Sequence, residues 1–383
     1  MGLWLISLRL YVNLNEMMTG RERIRITLER KEPDMVPIWE MAYNEPSIIG
    51  IARYFMDEAQ LPKPKLIMDM TDEEKFRLIA GLFTLIKALD LDGVTAVSLA
   101  PRTRLDKEHM RDALGVVYHL SDFGEPYPVD GPLKNTEGLK GFRMRAPEEL
   151  DFLMLELVRK TFPDKAVAYH MAGPFKLSWT LRGSMEKLLM DYILYPEFAH
   201  QLAKMATDYC LSLIKTAFEK GADFIILEGD LAYNPGPLMS PRHYEEFIFP
   251  YHKELCELVH QLGGKIVKHS DGKLTPLVPF LISAGFDGIH PIQPQCMEIG
   301  EIKSEFGSRV CLLGNIDCSF LLVFGSPEQV KQAVKETIAQ AGPGGGYIIS
   351  SSNSIHPGCK PENYLAMVES ARRYGKYPHL SKD

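Results

Sequence analysis

Residues 221–293 read GADFIILEGDLAYNPGPLMSPRHYEEFIFPYHKELCELVHQLGGKIVKHSDGKLTPLVPFLISAGFDGIHPIQ, and their pattern decides the fold. Three short apolar runs lie here, at 224–227, 265–267 and 286–289. Each is rich in β-formers and flanked by Gly or Asp, which marks a buried parallel strand. Long amphipathic helix patterns separate them. Each run ends in side chains with chemistry: Glu228 and Asp230, then His269 and Asp271, then His290. Functional groups at the carboxyl ends of successive parallel strands are what a (β/α)8 barrel active site requires.

Outward from this stretch the rhythm continues. Upstream, Thr19 with Glu22 forms a capping box for a helix over 19–30. A strand at 35–39 leads into Glu40, Met41 and Tyr43, and Thr71 caps a helix over 71–90. A strand over 93–99 follows. The segment 100–147 breaks the rhythm with short alternating runs between Gly and Pro turns, so it reads as a small antiparallel insertion covering part of the barrel mouth. A helix at 147–160, a strand at 166–170 and helices through 177–220 restore the pattern. Downstream come strands at 310–314 and 347–350, with helices at 326–341 and 361–374. Pro250 is expected to kink or split the helix that Ser240-Pro241 starts. Eight strands alternating with helices predict an α/β fold: a (β/α)8 TIM barrel with a small antiparallel insertion after its second strand.

With 383 residues, 45% hydrophobic and 24% charged, the chain has ample core for one large α/β domain. Residues 18–383 are read as that single domain, with the insertion at about 100–147. The formal net charge is -7 and no basic run occurs, which argues against a nucleic-acid partner. Residues 1–17 are apolar, but too short to cross a bilayer and interrupted by Arg9. They lack the charged start and small-residue cleavage site of a signal peptide, so they are read as an extension ahead of a natural start at Met18. The six cysteines are scattered without a CxxC, as reduced thiols in a cytoplasmic protein would be.

Neutral imidazole is a common zinc ligand, and His269 sits at a strand end with Asp271 close by to ligate or orient it. Adjacent strands lie roughly 5 Å apart, so Glu228 or Asp230 is able to share a metal with His269. The plainer reading is a hydrogen-bonded structural histidine and loop-fixing carboxylates. His290 is read as a pocket base, a ligand or a buried bonded histidine. Asn315 and Asn353 close the ring, either holding substrate or fixing loops by Asx turns. Trp39, Tyr43 and His170 stand near other strand ends, and the aromatic members suggest an apolar or aromatic pocket. Cys359 is a weaker metal candidate, and Cys256 reads as core. GPGGGY at 342–347 precedes a strand instead of opening a helix, so it is a tight turn and not a phosphate cradle.

From Met18 onward the chain resembles the uroporphyrinogen decarboxylase (URO-D) superfamily. The stretches TGRERIRITLERKEPDMVPIWE, AGPFKLSWTLRG, LMSPRHYEEFIFPYHKEL, LLGNID and HPGCKPENYLAMVES carry the resemblance. It implies a (β/α)8 barrel and one of two chemistries: cofactor-free porphyrinogen decarboxylation, or zinc-dependent methyl transfer involving corrinoids. The decarboxylases carry an Arg-rich stretch at the first strand, where this chain has WEMAYNEP. Without those arginines a polycarboxylate would meet repulsion and desolvation. The methyltransferase branch often shows His-x-Cys after the fifth strand and a second Cys after the eighth; here the corresponding positions hold His269, Asp271 and a place near Asn353. Loss of the thiolates favours a mixed oxygen and nitrogen site.

KHSDG together with SSSNSIHPG is similar to the branch that demethylates methoxylated aromatics in anaerobic one-carbon metabolism. The resemblance therefore implies a zinc methyltransferase acting on a methoxylated aromatic, with Glu228 and His269 leading the metal site and Asp230 or Asp271 completing it. His290 and Asn353 would hold or polarise substrate, and Trp39 and Tyr43 would line the pocket. The methyl acceptor would be a corrinoid on a separate protein, since no Asp-x-His-x-x-Gly motif occurs. The alternatives are another small methyl donor (alcohol, amine or thiol) and a porphyrinogen decarboxylase. A homodimer is expected by family analogy.

Overall fold

The computed structural model describes residues 18–120 and 126–377. The expected N-terminal extension, 1–17, lies outside the described residues.

Seven parallel strands form one curled sheet in sequence order. They are β1 (Gly93–Ala96), β2 (Ala166–Ala172), β3 (Phe224–Glu228), β4 (Lys265–His269), β5 (Gly288–His290), β6 (Cys311–Ile316) and β7 (Tyr347–Ser351). The expected strand at 35–39 is not a regular strand. Pro37 has no N–H to give a ladder, so the segment makes one parallel bridge, Ile38 to Ile349. Ile349 N donates to Pro37 O (3.0 Å) and Trp39 N to Ile349 O (3.1 Å) on one side; Asp92 N donates to Ile38 O (2.9 Å) on the other. The segment thus touches β7 and the residue leading into β1. Asp92 is its anchor: buried, it accepts from Ile38 N (2.8 Å) and from Arg23 Nη1 (2.9 Å).

Helices occupy the crossovers. Thr19 and Thr71 cap Gly20–Leu28 and Asp72–Ala88, each with a full capping box. The helix after Ser240 is split at Ile248 into Pro241–Phe247 and Phe249–Gln261, because Pro250 has no N–H to bond the carbonyl four residues back and its ring crowds that carbonyl. Between β1 and β2 a four-stranded antiparallel sheet runs Thr103–Arg104, His109–Arg111, Val117–His119 and Tyr127–Asp130. It is tied to the helix Pro174–Arg182 by Leu133 N donating to Leu181 O (2.9 Å). No helix among the described residues is long and apolar enough to cross a membrane.

Strand alternation separates two cores. Ile24, Leu28, Trp39, Phe224, Ile226, Val267, Leu313 and Ile348 pack inside the curl. Ile225, Leu227, Ile266, Ile289 and Leu312 face outward against the helices. The helix Gly20–Leu28 closes the amino-terminal end of the inner core by inserting Ile24 and Leu28.

Candidate active site

The period-two pattern that puts Ile226 and Val267 in the inner core also turns Glu228 and His269 inward, one pleat higher. His269 is in register with Glu228 of β3 and with His290 of β5. The inner apolar stack therefore ends, at the carboxyl face, in a carboxylate and two imidazoles.

Asp230, His269 and Asp271 form a tight group: one ligand-type atom from each lies within 4.8 Å of the others. Their two loops are stitched together. Asp271 N donates to Asp230 Oδ1 (2.9 Å), and Leu231 N donates to Ser270 Oγ (2.9 Å). Gly272 is obligatory there: its φ is +87°, and a Cβ would fall 2.5 Å from the Ala232 carbonyl carbon. His269 Nδ1 and His290 Nδ1 share a hydrogen bond of 2.8 Å. With that proton on His269 Nδ1, Nε2 keeps its lone pair for a ligand.

Charge is frustrated in this group. Burial, then the neighbouring charges of Asp230 and Glu228, push the Asp271 carboxyl up to about 7 against a hydrogen bond from Asn353. Burial drives His269 down to about 3 and His290 well below the usual imidazole range, so both rings are neutral. Asp271 Oδ1 and His290 Nε2 are buried without a hydrogen-bond partner. Two carboxylates, a neutral imidazole and an orphaned buried oxygen suit a divalent cation with oxygen and nitrogen ligands, zinc among them.

Glu228 is not part of this group. It pairs with Lys176, and His170 Nε2 stands 3.3 Å from its Oε2, out of line for a hydrogen bond. Burial alone would raise its carboxyl, but His170 and the Lys176 charge outweigh that and hold it well below the carboxylate range. Asn353 Nδ2 donates to Asp271 Oδ2 (2.6 Å), beside the metal-type group. Asn315 is turned away, donating to Ile292 O (2.9 Å) as a backbone fastener. Tyr43 shares a hydrogen bond with Tyr364 (2.6 Å between hydroxyl oxygens). Trp39, expected at the pocket wall, is fully buried between Phe224 and His290, edge-on to both rings, and supports the site from beneath. Cys256 and Cys359 are buried away from the group.

A cavity of about 290 Å³ adjoins the strand ends. Its walls are mostly apolar, including Met41, Leu82, Val97 and Met154, with Tyr43, Glu40 and His170 as polar members. Sequence reasoning gave no role to three charged residues that matter here. Lys268, facing outward and 1% exposed, donates from Nζ to the carbonyls of Gly229 (2.6 Å), His269 (2.7 Å) and Leu227 (3.3 Å). It thereby clamps the ends of β3 and β4; a lysine inside an otherwise apolar strand was the available signal. Lys176 neutralises Glu228 from a helix that gave no local hint. Glu40, at the end of the irregular segment, is 2% exposed.

A family model described as uroporphyrinogen decarboxylase (URO-D) matches residues 109–374. The uroporphyrinogen decarboxylase of Coxiella burnetii is 24% identical over 282 residues, covering 69% of this chain and 74% of that protein. The protein of the same name from Thioalkalivibrio sulfidiphilus is 22% identical over 388 residues, covering 94% of this chain and 99% of its own length. Among solved structures, a methyltransferase from Methanosarcina mazei superposes with a TM-score of 0.69 at 20% identity, covering 93% of this chain and 99% of that one.

Proposed function

The chain belongs to the uroporphyrinogen decarboxylase (URO-D) family, and on that premise we propose that it is a zinc-dependent methyltransferase. It moves a methyl group from a methoxylated aromatic compound to the cobalt(I) corrinoid of a separate protein. Residues 18–383 act as a single (β/α)8 domain, with the bridged segment 36–39 as the eighth stave and 100–147 as an insertion.

The observations that carry this reading are the group Asp230, His269 and Asp271, with its unpartnered oxygen, and a mostly apolar cavity whose wall includes Glu40 and His170. Asp230, His269 and Asp271 would hold the metal. When bound, zinc supplies a Lewis acid at the ether oxygen, stabilising charge that develops as the methyl leaves. His290 fixes the His269 ring by their shared hydrogen bond, and Asn353 orients Asp271. Lys176 and His170 keep Glu228 charged and fixed, so Glu228 orients the site from the side instead of ligating. The apolar cavity seats the ring and excludes water. At about 290 Å³ it is at the small end of ligand pockets, which run roughly 300–1,000 Å³, and so suits a single aromatic ring. The fold likeness to the Methanosarcina mazei methyltransferase is consistent with this assignment.

A porphyrinogen is a poor fit to the same geometry. Asp230 and Asp271 stand together at these strand ends with no ion-pair partner among the described residues, and a substrate with many carboxylates would be repelled there. The test is methyl transfer to free cobalt(I) corrinoid, followed by its absorbance, from a panel of methoxyaromatics, methanol, methylamines and thioethers. Transfer confined to methoxyaromatics supports the proposal. Transfer from another donor class, or carbon dioxide release from a porphyrinogen, overturns it.

A further inference from the structure

Glu40, like Asp230 and Asp271, has no ion-pair partner among the described residues, but of the three it alone lines the cavity. Among the described residues no Lys, Arg or His lies within ion-pair distance of it, while Glu228 has Lys176 and His170. Its oxygens meet only Ser351, whose N donates to Oε1 (2.9 Å) and whose Oγ donates to Oε2 (2.8 Å). Ser351 Oγ also lies 3.4 Å from Asn353 O. A protonated Glu40 can therefore donate to Ser351 Oγ while the serine donates onward to that carbonyl. The titratable groups around it are Tyr43 beside it, Tyr364 on the last helix, and Cys318 and Cys359 in flanking loops. Burial raises all four, so each stays neutral. A buried carboxylate in such company costs several kcal/mol to ionise. Burial accordingly pushes Glu40 up to about 8, against its two bonds from Ser351.

Its position matters as much as its charge. Glu40 is on the cavity wall. Ser351, which binds Glu40, and Asn353, which binds Asp271, are two residues apart at the end of β7. The carboxyl and the metal-type group are thus each held from one strand end, by residues two apart.

We propose that Glu40 is the general acid of the reaction, giving its proton to the oxygen that loses the methyl group. This rests on the methoxyaromatic reading above. The carbon–oxygen bond breaks with its electron pair left on oxygen, and that oxygen takes the Glu40 proton to leave as a phenol. The methyl passes without those electrons to the cobalt(I) corrinoid acceptor, which supplies the pair for the new bond. Glu40 then regains a proton from water. The transfer ends downhill, since a phenol released from the metal, of pKa about 10, holds a proton more tightly than this carboxyl does. Metal and acid do not compete, because an ether oxygen has two lone pairs.

The experiment compares wild type with Glu40→Gln and Glu40→Asp, using methoxyaromatics whose phenols span a wide range of acidity. Glu40→Gln is expected to lower kcat on the least acidic leaving groups by about 10²-fold or more, the usual contribution of a general acid. The loss should shrink below about 10-fold on nitro-substituted rings, which leave without a proton. Glu40→Asp, which keeps the acid, should fall between. Independently of activity, the infrared spectrum at neutral pH should hold a protonated-carboxyl band that Glu40→Gln removes. An equal loss across the series, or no such band, overturns the assignment while leaving the methyltransferase reading intact. A wild type that transfers no methyl from any methoxyaromatic overturns both.

Discussion

Replacing Asp271 by Asn should stabilise the metal-free protein while abolishing its function, and the size of the effect follows from the site. The Asp271 carboxyl stands at about 7 instead of 3.8, because it is buried next to Asp230 and Glu228. The native state therefore keeps this proton up to about 7, while the unfolded chain loses it near 3.8. Between those values the native state binds more protons, so stability falls as pH rises through the window. At pH 8 the cost approaches about 4 kcal/mol, at about 1.4 kcal/mol per pH unit of displacement. An Asn keeps an oxygen to accept from Asn353 and carries no charge, so it should recover about 2–4 kcal/mol. At about 2.1 cal/mol/K per residue over 383 residues, that is roughly 3–5 °C in Tm. The assay is thermal unfolding in chelator at pH 8, 5.5 and 4. The variant should melt higher at pH 8, with the gap closing toward pH 4. Added zinc should reverse the order, because only the wild type gains from binding. A gap independent of pH, or a variant less stable than wild type in chelator at pH 8, would refute the charge-frustration account.

His290→Ala removes the partner of His269 Nδ1 and should weaken zinc binding about 10–100-fold, read by competition with a chromophoric chelator. Lys268→Met keeps the stem but strands three carbonyls; relief of the buried ammonium offsets part of this, leaving a loss of about 2–4 kcal/mol in denaturant unfolding. The same variant should lower zinc affinity, since Gly229 and His269 carry the clamped backbone. Asp92→Ala leaves Arg23 partly unpaired in the core and frees the Ile38 amide, so it should cost about 3–5 kcal/mol by the same unfolding measurement.

The seven strands of the sheet were legible because parallel strands buried on both faces must be short apolar runs, and runs such as FIILE and YIISS are unmistakable. The segment at 35–39 misled for one local reason: its apolar pattern is that of a strand, but Pro37 removes the amide a ladder needs. His269 and Asp271 were legible because neighbouring residues at one strand end stay neighbours in space, and Asp230 followed from the adjacent strand. Trp39 was misplaced because composition shows an aromatic residue but not which side of the sheet's end it occupies. The partner of Glu228 was hidden because Lys176 lies in a helix after β2, brought close only by the pairing of β2 with β3. Glu40 was hidden for another reason: what distinguishes it is burial on the cavity wall with no cation beside it, which no sequence displays.

The central claim is a metal-dependent methyl transfer centred on His269. The most direct test measures zinc content and methyl transfer from methoxyaromatics to cobalt(I) corrinoid on the same preparations of wild type and His269→Ala. The account predicts about one zinc per chain and ready transfer for the wild type, as for three protein ligands with one open position, with both lost in the variant. A wild type that takes up no zinc on titration, or a His269→Ala protein that keeps its zinc and its transfer, would contradict it.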